Sequence, residues 1–315
     1  MAGGVFAERK GMKKMKYAVV DLGSNTIRLS LYHTHEDGSF ELLFSQKKMA
    51  GLVNYIDHKV LSEQGVQQAC SVLREFQWLL QQFGMDKMYV FATASLRNIV
   101  NTEQVVKSIF EQTGIEIDVI SGDDEAELGY YGARIAYPFQ NGLMFDIGGG
   151  STETILVEDG RICKEQSLEI GSLNLFNRYV SKLWPNSDEL KQLREVAKRT
   201  LKESDMPDVA AEYACGIGGT ARAVLKIANA YWHNPDDNRV ITVKQLEEIT
   251  EFLTARKKGA RKLVLRNCPD RVHTILPGVV LMHTLCTTWC KKEIYISKYG
   301  VREGYLCRKL LKAGT

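Results

Sequence analysis

The stretches "VVDLGSNTIRLSLYH" (19–33) and "MFDIGGGSTETILVE" (144–158) are two copies of one pattern. Each runs as an apolar pair, Asp, an apolar residue, Gly, small residues, and then an alternating strand-like run. Asp21 falls on Asp146, Gly23 on Gly148, Asn25 on Gly150 and Thr26 on Ser151. Copies this far apart imply two similar lobes and not a solenoid, whose period would be far shorter. The length of 315 residues agrees, since it exceeds the size at which one core stops growing.

Around the copies, strands alternate with helices. Val66, Ala69, Leu73, Phe76 and Leu80 recur at helical spacing, with Ser62 as cap and Gly84 as stop. "KMYVFAT" and "IEIDVIS" read as strands, and "NTEQVVKSIFEQTG" and "GDDEAELGYYGARIA" as helices. In the second half, strands are predicted at 142–147, 153–158 and 161–170. Helices are predicted near 187–203, 220–231, 243–257, 272–291 and 301–312. The alternation argues for α/β, and the paired hairpins for mixed sheets.

Composition narrows the class. The chain is 44% hydrophobic and 25% charged, ordinary for a globular protein, and its longest apolar runs are too short to cross a bilayer. The start, residues 1–15, reads as a basic tail without a secretory signal, expected to be disordered. Met12 or Met15 is an alternative start. Seven scattered cysteines with no C-x-x-C pair fit a reducing, cytoplasmic setting. His283, Cys286 and Cys290 share a helical face; the neighbouring Leu281, Leu285 and Trp289 favour core packing over a metal site. A net charge of +3 gives no case for nucleic acid, and no membrane partner is expected. The basic run 255–266, Lys291–Lys292 and the C-terminal "CRKLLKAG" form either a solvated face or a track for an anionic substrate.

Three loops carry chemistry. "DIGGGST" joins strand to strand, so it lacks the strand-to-helix setting and the G-x-G-x-x-G spacing of a dinucleotide fingerprint, and it has no Walker lysine. What remains is a hairpin whose glycines let amides approach an anion, with Ser151 adding a hydroxyl. Asp146 and Glu153 bracket it with hard oxygen ligands suited to Mg²⁺. "DLGSN" supplies a second such loop. "CGIGGTARAVLKIA" (215–228) opens a helix behind glycines, a ready anion site.

These loops, in this order, resemble the actin-like phosphotransferase superfamily. Within it, "YAVVDLGSNTIRL", "ATASLRN", "ISGDDEAELGYYGA", "FDIGGGSTE", "CGIGGTARA", "DRVHTILPGVVLMHTL" and "GVREGYL" resemble the exopolyphosphatase/guanosine pentaphosphate phosphohydrolase (Ppx/GppA) family, in its short two-domain form. The resemblance implies two ribonuclease H-like lobes, 16–138 and 139–315, with mixed sheets flanked by helices and an active site in the cleft between them. It leaves open whether the terminal helix 301–313 packs back on the first lobe. It implies Glu125 as general base and Arg97 as a holder of substrate phosphate. Gly23, Ser24 and Asn25 would cradle phosphate opposite Gly148, Gly149, Gly150 and Ser151, with Gly218, Gly219 and Thr220 from the third loop. Asp146 and Glu153 would hold Mg²⁺ or Mn²⁺. The implied substrate is inorganic polyphosphate or guanosine pentaphosphate, hydrolysed by in-line water attack in a homodimer of the stringent response.

One departure stands out. Members of the family commonly carry "V-R-L-G-E-G" where this chain has "KKMAGLVNYID" (47–57). Lys47 or Lys48 offers a point charge in place of the arginine, without its fork. That keeps a non-catalytic or weakly active sensor of the same polyanions as the alternative. The retained Glu125, Asp146 and Glu153 argue for the enzyme. A kinase would need an acceptor pocket, to which nothing in the chain points, and a chaperone-type ATPase would need a further domain.

Overall fold

In the computed structural model, which describes residues 15–207, 211–255 and 258–312, the duplication is visible as two sheets of matching strand order. The chain packs as two units. One holds residues up to 125 together with those from 305 onward; the other holds 126–304.

The first unit contains β1 (Met15–Leu22), β2 (Thr26–Thr34), β3 (Phe40–Met49), the small hairpin β4 (Ile56–Asp57) and β5 (Val60–Leu61), α1 (Glu63–Gln82), β6 (Tyr89–Ala92), α2 (Ala94–Arg97), α3 (Thr102–Thr113) and β7 (Ile117–Val119). α4 (Gly122–Ala136) begins there and continues into the second unit. The sheet order is β3-β2-β1-β6-β7. The first three strands are antiparallel, and β6 and β7 join in parallel after helical crossovers. Alternation on β1 sends Ala18, Val20 and Leu22 into a core closed by Ala69, Leu73, Phe76 and Leu80 of α1 and by Val105 and Ile109 of α3. The apolar spacing read in α1 is thus its buried face. Ser62 caps it by accepting from the Gly65 amide, and α3 ends on Gly114 in the left-handed region. Behind the same sheet, Tyr305 stacks on Phe91 and donates to Asp118.

The second unit contains β8 (Gly142–Ile147), β9 (Thr152–Glu158), β10 (Arg161–Leu168), α5 (Ser172–Tyr179), α6 (Ser187–Lys202), β11 (Ala211–Ile217), α7 (Gly218–Trp232), β12 (Val240–Thr242), α8 (Val243–Thr254), α9 (Lys258–Asn267), α10 (Ile275–Trp289), β13 (Cys290–Ile296) and α11 (Val301–Tyr305). Its order, β10-β9-β8-β11-β13-β12, repeats the first sheet and adds one edge strand. One face is covered by α10, which is mostly apolar and largely buried, together with α6, α7 and α8. The other face packs on Ala126, Tyr130 and Ala133 of α4. There Gly132 and Gly304 let backbones meet so closely that a methyl group on either would overlap a neighbouring carbonyl.

Several sequence expectations shift. The helix expected over 243–257 stops at Thr254, and a separate α9 begins at Lys258; Arg256 and Lys257 lie outside the described residues. The helix expected over 272–291 ends at Trp289, where Cys290 starts β13. Cys286 and Cys290 therefore sit in different elements, both buried in the core. The strand expected over 161–170 ends at Leu168. The helix expected over 301–312 relaxes at Leu306–Leu310 into one wide turn. Residues 1–14 of the basic tail also lie outside the described residues, and Met15 opens β1. No helix among the described residues is long and apolar enough to cross a membrane.

Candidate active site

The two copies close their hairpins in the same way. The Gly23 amide donates to the Thr26 carbonyl at 3.1 Å, and the Gly148 amide to that of Ser151 at 2.9 Å. Their surroundings differ.

In the first unit the carbonyls of Ser24 and Asn25 accept from the amides of Val53 and Gly51 at 3.0 and 2.9 Å. The atypical 47–57 segment therefore holds the first loop through its backbone. Lys48 pairs with Glu75 at 2.5 Å, so its ammonium is already engaged. Lys47 lies on β3 opposite Arg28. Beside the loop, the Ser95 hydroxyl donates to the Leu22 carbonyl and ties α2 to the end of β1. α2 carries Arg97, whose Nη1 meets Oε2 of Glu125 at 2.7 Å. These side chains are 17% and 12% exposed: sheltered, yet still within reach of a ligand. Glu125 stands in the first turn of α4 after Asp123 and Asp124, where Ser121 accepts from the Asp124 amide. Carboxylates at this end suit the helix dipole. The geometry thus joins the two residues expected to be catalytic as a charge-assisted pair.

In the second unit the hairpin register sets Asp146 directly opposite Glu153. Opposed residues on an antiparallel pair share a face, and like charges there repel unless a cation or donors intervene. Glu153 is buried, and one oxygen accepts from the Ser167 hydroxyl at 2.8 Å. The loop's carbonyls are consumed by the start of α5. Gly148 accepts from Ser172, Gly149 from the amides of Leu173 and Asn174, and Gly150 from the Asn174 side chain. This satisfies the open amides of α5 and fixes the loop.

The third loop comes to the same place. Gly218, with φ of 76°, opens α7 against the Asp146 carboxylate so closely that a Cβ would collide with it. A Cβ on Gly219 would likewise collide with the Arg271 guanidinium. Thr220 turns its hydroxyl to the Ile147 carbonyl at 2.7 Å, so it anchors α7 to β8. Ser151 is buried within the hairpin. Arg271 has no role assigned from the sequence. It belongs to the short turn before α10, and burial lowers its pKa from the ordinary value while Asp270, Cys268 and Asp146 pull it back up. Its sequence signals are a place in the "DRVHTILPGVVLMHTL" stretch and a cation set just ahead of a mostly apolar helix. The paired hard oxygens of Asp146 and Glu153, beside a glycine loop, fit the donor set Mg²⁺ prefers: one or two carboxylates completed by water and phosphate.

Comparison with known proteins identifies the family and the fold. The model of the Ppx/GppA phosphatase family matches residues 33–313. "Exopolyphosphatase 1" of Mycobacterium tuberculosis is 25% identical, covering 94% of this chain and 88% of that protein. A "Putative exopolyphosphatase" of Haemophilus influenzae is 25% identical over 92% of this chain and 90% of its own length. Among solved structures, an exopolyphosphatase from Cytophaga hutchinsonii superposes with a TM-score of 0.82 at 22% identity, covering 95% of this chain and 99% of that one. The Aquifex aeolicus member of the Ppx/GppA family gives 0.78 at 21%, covering 96% and 100%. These likenesses show the two-lobe actin-like fold.

Proposed function

The chain belongs to the Ppx/GppA phosphatase family of hydrolases, and we propose that it is a Mg²⁺-dependent exopolyphosphatase that removes terminal phosphate by in-line attack of water. The observation that carries this reading is the cross-strand pair Asp146–Glu153 at the root of a glycine loop whose carbonyls are all turned to α5. With the carbonyls engaged and the Gly148 amide closing the hairpin on Ser151, the amides of Gly149 and Gly150 are the face a phosphate would meet. Gly218 and Gly219 add the amide end of α7.

Glu125 orients the attacking water and takes its proton, and Arg97 turns its fork from Glu125 to the phosphoryl oxygens as their charge grows. Arg271 adds a fixed positive charge beside Asp146. Bound Mg²⁺, held by Asp146 and Glu153, would supply charge neutralisation on the phosphate chain.

Polyphosphate is favoured as substrate by the names of the curated relatives and by the exposed Lys258, Arg261, Lys262 and Arg266 along α9. Guanosine pentaphosphate, and with it a role in the stringent response, is the second arm of the test. A cytoplasmic homodimer completes the proposal; seven free thiols, six of them buried, fit a reducing compartment. The sensor alternative draws its support from Lys48, which Glu75 occupies.

The test is phosphate release from long-chain polyphosphate and from guanosine pentaphosphate, with Mg²⁺ and with chelator. The expected result is Mg²⁺-dependent release from polyphosphate. Tight binding without release from either substrate would make the protein a sensor.

A further inference from the structure

The β2–β3 hairpin carries a cluster for which the phosphatase chemistry has no use. His33 lies on β2, and His35 follows two residues later at the mouth of the turn. Residues i and i+2 of an extended chain share a face. Across the ladder the register sets Glu41 directly opposite His33. His33 Nδ1 lies 3.3 Å from Glu41 Oε1, and the rings of His33 and His35 stand 4.8 Å apart at 64°. One ligand atom from each of the three residues lies within 4.8 Å of the other two.

An ordinary cross-strand ion pair would account for His33 and Glu41. It does not involve His35, whose ring packs edge-on against His33 and which has Asp37 as a charged neighbour. A divalent cation satisfies all three at once: two neutral imidazoles and a carboxylate around a single charge centre. Such ligand atoms sit roughly 3.2–3.5 Å apart around a tetrahedral ion with bonds of about 2.0–2.1 Å. His33 and His35 are half-buried and Glu41 is exposed, which leaves these side chains room to rotate toward a shared ion.

The turn between them is already fixed. The His35 amide donates to the Ser39 carbonyl at 2.9 Å, the Gly38 amide donates to the His35 carbonyl, and Asp37 accepts from both the amide and the hydroxyl of Ser39. The backbone that positions the three ligands therefore needs no rearrangement.

We propose that His33, His35 and Glu41 form a binding site for a borderline first-row divalent cation, Zn²⁺ foremost, which clips the edge strand β3 to β2 and keeps its fourth position for water. Imidazole separates this site from the oxygen-only pair Asp146–Glu153: Mg²⁺ suits the latter and binds imidazole poorly.

The test uses the full chain stripped with chelator, then titrated with ZnCl₂ in buffer containing millimolar Mg²⁺, followed by calorimetry and by thermal melting. One Zn²⁺ per chain and a raised Tm are expected. Both should be lost in His33→Gln/His35→Gln. Glu41→Gln, which keeps both imidazoles, should weaken binding at least tenfold, since losing even an outer partner of a ligand costs about 10–100-fold. With Co²⁺ in place of Zn²⁺, absorption should show ligand-field bands and no thiolate charge-transfer band. Absence of stoichiometric binding at tens of micromolar Zn²⁺ would overturn the proposal. So would full binding in the double variant, or a thiolate band, which would move the ion to the exposed Cys163.

Discussion

Arg97 and Glu125 are bonded to each other in the ligand-free protein, and this pairing has two consequences. It holds the Glu125 carboxylate in one orientation, and it keeps the Arg97 guanidinium ordered beside that carboxylate. Arg97→Ala should therefore lower kcat/KM by about 10²–10³-fold, the usual cost of losing one donor to developing charge. Arg97→Lys should recover only part of that, because an ammonium cannot bridge two oxygens as a fork does. Steady-state phosphate release decides it; an unchanged kcat/KM in Arg97→Ala would remove the residue from the chemistry. Asp146 and Glu153 were legible as a pair because a two-fold strand period and a short hairpin fix which residues face each other. Arg271 was not, because its neighbours Gly219 and Asp146 lie far away in sequence and only the packing of α10 brings them together.

The junction of β8, the glycine hairpin and α7 is tightly specified. Thr220 pins α7 to Ile147, and Gly218 leaves no room for a side chain beside Asp146. Gly218→Ala would meet both a left-handed backbone and the Asp146 carboxylate. A displacement of about 1 Å at a reacting centre costs on the order of 10²-fold in rate. The expected outcome is a kcat loss of that order with a raised Mg²⁺ requirement, read from rates across a Mg²⁺ titration; wild-type behaviour would mean that Asp146 tolerates movement. Helices with clean caps, such as α1 after Ser62 and α3 before Gly114, could be read from sequence to within a residue or so. α5 could not. It is only eight residues long, its cap is Gly171, and its amides are satisfied by the hairpin carbonyls and not by its own side chains. β13 was hidden by the apolar run of α10 flowing straight into it.

Both units repeat one strand order, and that repetition was the part of the fold most visible in the sequence, because each copy keeps its Asp, its turn glycine and its alternating strand. Stability across the molecule should depend on pH through two histidines of the second unit. Burial lowers the pKa of His273, helped by Arg271, and of His283, where Glu247 and Glu251 oppose the shift while Arg194 and Lys198 reinforce it. A histidine lowered in the folded state binds its proton more readily when unfolded. Its contribution is intact above the ordinary value of 6.5 and is lost as pH falls from there toward the folded value. Urea midpoints should therefore drop between pH 7.5 and 5.5, and less steeply in His283→Gln; an equal slope in that variant would clear His283 of the effect.

The most direct measurement is made on Glu125→Gln, with polyphosphate binding and single-turnover phosphate release followed in the same preparation with Mg²⁺. Loss of a general base costs typically 10²–10⁴-fold, so release should fall by that factor while polyphosphate affinity stays within about threefold of wild type. Release at the wild-type rate, or loss of binding together with turnover, would contradict the assignment of Glu125 as the group that activates water.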